Sequence, residues 1–429
     1  MFSERRQKFL KSMGPDAAAI VIGQRAVKRS NDSEYPFRQD SDFHYLTGFD
    51  HPSAAALFRT DGGPPYTLFV QPRDKSAETW NGYRPGLEGA KTDFEADESF
   101  SIEVLREEIS KQIERVERIF HTLGRNTALD ATLVRTLDEL RQRSKLGFEP
   151  ASQILDPRDI VHEMRLFKEP GEIEILRRAA EITATAHQEA ARLCRDGNHE
   201  YQLEAALGHA FRRLGGSGPA YSSIVGGGKN ATILHYVVND QKLRGGDLCL
   251  IDAGVELESY ASDVTRTYPV GGRFQGPGRA VYEVVLAAQE AGLAACRPGT
   301  TLPEIHATTL NSLVEGMRSL GLLSGTVGDL IKDEAHRAYY MHGTSHWLGL
   351  DVHDVGSYTQ KGKARTLDPG MVFTMEPGIY IAPDDTNAPE HLRGIGVRIE
   401  DDVLVTENGI ENFNHAIPKK PDEIEAWMS

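Results

Sequence analysis

The sequence predicts an α/β (α+β) protein of two domains, residues 1–160 and 161–429. Three observations carry this. Strand-like and helix-like segments alternate from the start to about residue 155. Lys168-Glu169-Pro170-Gly171-Glu172 then opens a second series with a fresh helix signal. The 429 residues are enough for two or three domains and a sizeable core.

The first element is a weak helical stripe, Phe2, Phe9, Leu10 and Met13, in a charged segment that does not resemble a signal peptide. Ala17 to Ile22 is apolar throughout and predicts a buried strand. Ser41-Asp42-Phe43-His44-Tyr45-Leu46-Thr47-Gly48 leads into a strand-rich stretch, with strands at Ala54 to Phe58 and Tyr66 to Val70. Asp61-Gly62-Gly63-Pro64-Pro65 is the turn between them. Helices are expected at Ile102 to Arg118 and Ala131 to Lys145, and the domain boundary at residues 156–170.

In the second domain, helical patterns run from Glu172 to Leu193 and from His199 to Leu214. Leu248 to Ala253 is a continuous apolar run, expected to pair with Ser259 to Val270 as a hairpin turning around Glu256 and Leu257. Val281 to Cys296 and Leu302 to Leu320 read as helices, and Val372 to Met375, Gly378 to Ile381 and Val397 to Val405 as strands. Pro383 to Pro389 reads as an exposed loop. No repeat of short period is visible.

The net charge of −15 argues against general binding to nucleic acid or to an anionic membrane. No apolar run is long enough to span a bilayer. Cys194, Cys249 and Cys296 are far apart and form no CxxC pair, which disfavours a disulfide framework or a zinc-thiolate site. A soluble protein of the cytoplasm is expected.

Five metal-competent side chains stand in distinctive contexts in the last 180 or so residues: Asp252, Asp263, His346, Glu376 and Glu400. Asp252 ends a buried strand, where a carboxylate is costly unless paired or metal-bound. A hairpin would bring Asp263 beside it, and close carboxylates need a proton or a cation between them. Glu376 precedes the turn pair Pro377-Gly378, and Glu400 follows an alternating strand pattern. His346 lies close to His342 and His353 in a glycine-containing segment. Four carboxylates and one imidazole suit manganese, cobalt, zinc or magnesium better than a soft metal. Two ions bridged by carboxylates, roughly 3.5–4 Å apart, acidify a shared water and so suit hydrolysis.

These residues, in this order and these contexts, resemble the dinuclear site of the pita-bread metallopeptidases. The likeness extends to Asp40–Phe49, Ile233–Tyr236, Met341–Asp354 and Arg393–Asp402, so it covers nearly the whole chain. It implies an N-terminal domain of the aminopeptidase P type followed by a pita-bread catalytic domain. Within the family it implies an aminopeptidase that hydrolyses the bond between an N-terminal residue and a following proline. The alternative is a prolidase, limited to Xaa-Pro dipeptides, which shares all five ligands. Organophosphate ester hydrolysis is a side activity that the same metal-bound hydroxide would support, since it can attack phosphorus as well as a carbonyl. A non-catalytic binding module or a metal-free hydrolase of the creatinase type is disfavoured, because all five ligands are present.

The resemblance also assigns roles. Asp252 would chelate one ion, Asp263 and Glu400 would bridge the pair, and His346 and Glu376 would complete the second. The metal implied is manganese, with cobalt or zinc as alternatives. Glu376 would accept the proton of the attacking water. His353 would contact the substrate carbonyl, His235 and His342 would shape the proline pocket and relay protons, and Arg398 would help close it. Tyr380 is a further candidate behind them. Trp80 matches a tryptophan that can approach a neighbouring subunit's site in some relatives, with ordinary packing as the alternative, and a homo-oligomer, dimer or tetramer, is expected. One departure is local: Val237-Val238-Asn239-Asp240 follows His235-Tyr236, where relatives are more polar.

Overall fold

The apolar run Ala17–Ile22 forms the strand expected of it, and it is nearly all buried. The computed structural model describes residues 1–143, 145 and 150–429. It divides into two units, Met1–Arg165 and Leu166–Ser429, near the end of the helix Arg158–Leu166.

In the first unit Ala17–Ile22 lies inside a six-stranded mixed sheet. Ala55–Arg59 pairs antiparallel to it on one side and Arg118–His121 parallel on the other. Tyr66–Val70, Glu98–Ser101 and Gln153–Leu155 complete the sheet. Ile20, Leu57, Phe69 and Ile119 pack with Ile109 and Leu133, which come from the helices Leu105–Gln112 and Thr127–Gln142.

Three expectations change here. Ser41–Thr47 is a helix. Asp40 caps it by accepting from Phe43 N at 3.0 Å, and Gly48 ends it at φ +66°. The expected helix Ile102 to Arg118 stops at Gln112, because Arg118 begins a strand. The expected helix Ala131 to Lys145 starts earlier, at Thr127, and is helical to Gln142; Ser144 lies outside the described residues.

Asp42 on the short helix accepts from Arg165 Nη1 at 2.6 Å and lies 3.1 Å from His162 Nε2. Burial would raise its pKa, but the His162 bond and the Arg165 charge outweigh burial and hold it down at about 2. A depressed carboxylate stabilises the fold above the unfolded value and loses that contribution as pH falls through the folded one. The Asp42 contribution is therefore expected to fade between about pH 4 and pH 2. Asp42→Asn at neutral pH should cost about 3 kcal/mol, since it leaves Arg165 buried without that counter-charge. Faster hydrogen exchange across Ala17–Ile22 would report the loss.

The second unit repeats one element order. Two helices, Pro170–Leu193 and Glu200–Arg213, precede the antiparallel strands Ile224–Gly227, Leu248–Asp252 and Thr265–Pro269. Two more helices, Gly276–Ala295 and Leu302–Ser319, precede the antiparallel strands Val372–Met375, Asp401–Thr406 and Gly409–Asn412. Pro170 opens the first helix in its first turn, and Glu172 reaches back to the Glu169 amide at 2.8 Å. Among the described residues no helix is long and apolar enough to cross a membrane.

The hairpin after Leu248–Asp252 differs in detail from expectation. Its tip is at Glu258 and Ser259, both at positive φ, and short strands at Val255–Leu257 and Tyr260–Ala261 form it. The expected single strand Val397 to Val405 is two strands, Gly396–Arg398 and Asp401–Thr406, with Glu400 in the gap.

Candidate metal centre

Strand register accounts for the first group of candidate ligands. Asp252 pairs with Thr265 across the antiparallel ladder. Asp263, two residues earlier, is diagonal to Asp252 on the same face. Glycine is required beside them: a Cβ on Gly254 would lie 1.7 Å from the Ser262 carbonyl oxygen. Asp402 holds the backbone of Asp263 by accepting from its amide at 3.1 Å.

The second group follows from another ladder. Met375 pairs with Asp401, and Gly378 pairs with Arg398. One register runs through both pairs, so Glu376 stands opposite Glu400 where Pro377 interrupts the hydrogen bonding. His346 comes from the other edge: its carbonyl accepts from Thr374 N at 2.9 Å, and Trp347 bridges to Phe373.

The two groups meet. Ligand atoms of Asp263, His346 and Glu400 all lie within 4.8 Å of one another. His346 Nε2 is 3.4 Å from Asp263 and 3.6 Å from Glu376. Its Nδ1 is 3.1 Å from the Trp347 carbonyl, so that nitrogen carries the proton and Nε2 faces the carboxylates. Arg398 Nη2 donates to Asp252 at 2.6 Å.

Charge crowding shows in the titration behaviour. Burial raises the carboxyls of Asp252 and Glu400, with Asp263 adding to both, and pushes Glu376 up to about 7. Burial works to lower His346, but Asp263 and Glu376 reverse this and raise it to about 9. Without a cation these groups therefore hold protons that a divalent ion would displace. The oxygen-rich donor set and the outward-facing Nε2 fit such an ion.

The five residues line a cavity of about 520 Å³ together with His235, His342, His353 and Arg398. The His353 ring is 4.2 Å from that of His346. Tyr380 is buried behind His342 and Arg398 and connects them. Arg398 Nη1 donates to the Tyr380 hydroxyl at 2.9 Å, and that hydroxyl is 2.8 Å from His342 Nε2. His342 Nδ1 is 2.7 Å from the Gly343 carbonyl. Burial, then Arg398, lowers His342 to about 4. Neutral His342 thus donates through Nδ1 and accepts the tyrosine proton at Nε2. Val237 also lines the cavity and, like Val238, is largely exposed. Trp80 is 84% exposed in the first unit, so interior packing does not account for it.

Two contributors escaped the sequence. Tyr221 donates toward both Asp252, at 2.6 Å, and Asp263, at 2.5 Å. Thr265 donates to Glu400 at 2.6 Å and accepts from Arg398 Nε at 3.0 Å. Tyr221 lies in an irregular segment with no periodic signal. Thr265 had one, because residues two apart on a strand share a face.

The profile of Metallopeptidase family M24 matches residues 174–407. The chain belongs to that family. Residues 2–120 match the aminopeptidase P N-terminal domain. Xaa-Pro aminopeptidase of Escherichia coli (strain K12) is 45% identical over 429 residues, covering 100% of this chain and 97% of that one. Pseudomonas aeruginosa aminopeptidase PepP superposes with a TM-score of 0.96 at 44% identity, covering 100% of this chain and 97% of that one. Zinc-substituted E. coli aminopeptidase P in complex with product gives 0.95 at 45% identity, with the same coverage. The second unit is thus the pita-bread catalytic domain of an M24 metallohydrolase, an enzyme class that works with divalent metal ions.

Proposed function

We propose that this M24 enzyme is an Xaa-Pro aminopeptidase that removes an N-terminal residue when proline follows. The observation that carries this is the convergence of Asp252, Asp263, His346, Glu376 and Glu400 in one cavity that three further histidines share. Full-length similarity to Xaa-Pro aminopeptidases supports the substrate class and favours it over the prolidase alternative. Asp252 would hold one of two ions, Asp263 and Glu400 both, and His346 and Glu376 the other. Bound there, divalent ions supply Lewis-acid polarisation of the scissile carbonyl and acidify water.

The chain's own groups do the rest. Glu376 takes the proton of the attacking water. His353 donates a hydrogen bond to the carbonyl oxygen as charge builds on it. Proline has no N–H and a fixed φ, so its pocket needs shape more than hydrogen-bond donors. His235 and His342 provide that shape, and the hydrogen-bonded series Arg398, Tyr380 and His342 keeps one wall rigid. Manganese as the resident metal, a cytoplasmic setting and a dimer or tetramer belong to the same reading. The exposed Trp80 supports the assembly.

Substrate length tests the assignment. An aminopeptidase leaves room beyond proline, and contacts there add to transition-state binding. Manganese-supplemented protein should therefore show a higher kcat/KM on Xaa-Pro-Yaa tripeptides than on Xaa-Pro dipeptides. Cleavage of dipeptides with no cleavage of tripeptides would make the protein a prolidase.

A further inference from the structure

Lys168 and Asp354 form an ion pair at 3.0 Å, and each side chain is 1% exposed. Charges so far from water are costly to bury, so such a pair is weak evidence of added stability and raises the question of what it arranges. Its place in the chain indicates which arrangement. Asp354 directly follows His353. The Asp354 amide donates to the Trp347 carbonyl at 2.8 Å, the same oxygen that accepts from His346 Nδ1 at 3.1 Å. The loop from Trp347 to Asp354 is therefore closed at its base beside His346, and the closing residue is the one Lys168 grips.

Lys168 is itself held, because its amide donates to the Gly370 carbonyl at 2.8 Å. The packing under the loop is tight. A Cβ on Gly349 would lie 2.2 Å from Asp354 Oδ2 and 3.0 Å from Lys168 Cε. The Asp354 carboxylate and the end of the Lys168 stem thus lie directly against Gly349, four residues before His353.

We propose that the Lys168–Asp354 pair is a positioning device that sets the His353 imidazole against the scissile carbonyl. The inference rests on the role given to His353 above. Lys168 touches no reacting atom and acts only through the loop. A misplacement of about 1 Å at such a group lowers turnover by up to about 10²-fold.

The test measures kcat, KM and metal content on an Xaa-Pro-Yaa tripeptide, with His353 intact and in a His353→Ala background. Lys168→Met should lower kcat roughly 10- to 100-fold with His353 intact, with KM within about threefold and metal content unchanged. In the His353→Ala background the same substitution should change kcat by less than about twofold, because the group it positions is gone. Lys168→Arg keeps the cation and should recover most of kcat. If Lys168→Met does not fold, Asp354→Asn carries the same comparison. Equal losses in both backgrounds, or metal lost in step with activity, would overturn the proposal and leave the role of His353 standing. Full turnover in His353→Ala alone would instead remove that role, and the positioning with it.

Discussion

Asp263→Asn is expected to empty both metal positions and to lower turnover by roughly 10³–10⁴-fold, the scale of losing several kcal/mol of Lewis-acid stabilisation. Asp263 touches both sides of the site. One oxygen accepts from Tyr221, which also donates to Asp252, and the other faces His346 Nε2 at 3.4 Å. In the proposed arrangement a residue so placed would serve both ions. Glu400 clusters with the same Asp263 and His346 atoms, so Glu400→Gln should behave alike. Metal analysis of the purified variants reads the outcome directly. Retention of one full equivalent with near-normal turnover would show that Asp263 does not bridge.

His353→Ala should lose turnover by roughly 10²–10³-fold while keeping most of its metal, the effect of one missing donor to a developing oxyanion. His353 shares the cavity with the ligands, and its ring is 4.2 Å from His346. Burial lowers its pKa, and the neighbouring His346 lowers it further, so it is a neutral donor at neutral pH. Metal content and kcat measured on one preparation separate this role from that of a ligand. Near-normal turnover in the metal-replete variant would remove His353 from the reaction.

What could be read from the sequence divides along a physical line. Leu248–Asp252 was legible because a strand buried on both faces is apolar along its length, here from Leu248 to Ile251, with Asp252 at its end. The helix Pro170–Leu193 was legible because Pro170 and Glu172 mark its start chemically. Ser41–Thr47 was missed although its markers, Asp40 and Gly48, stood at each end; the aromatic residues between them suit a strand equally well. Glu376 and Glu400 were identifiable as residues, but their opposition depends on a register linking segments more than twenty positions apart. Tyr221 reaches the site from a segment with no pattern, so only the folded geometry reveals it. The repeat of two helices and three strands in the second unit was equally invisible, because it is carried by element order.

The most direct measurement is hydrolysis of an Xaa-Pro-Yaa tripeptide by protein stripped with a chelator and then titrated with manganese. The stripped protein should be inactive. Activity should return as about two equivalents bind, and an Xaa-Ala-Yaa peptide should remain a much poorer substrate throughout. Full activity in the metal-free protein, or equal cleavage of the proline and alanine peptides, would contradict the account.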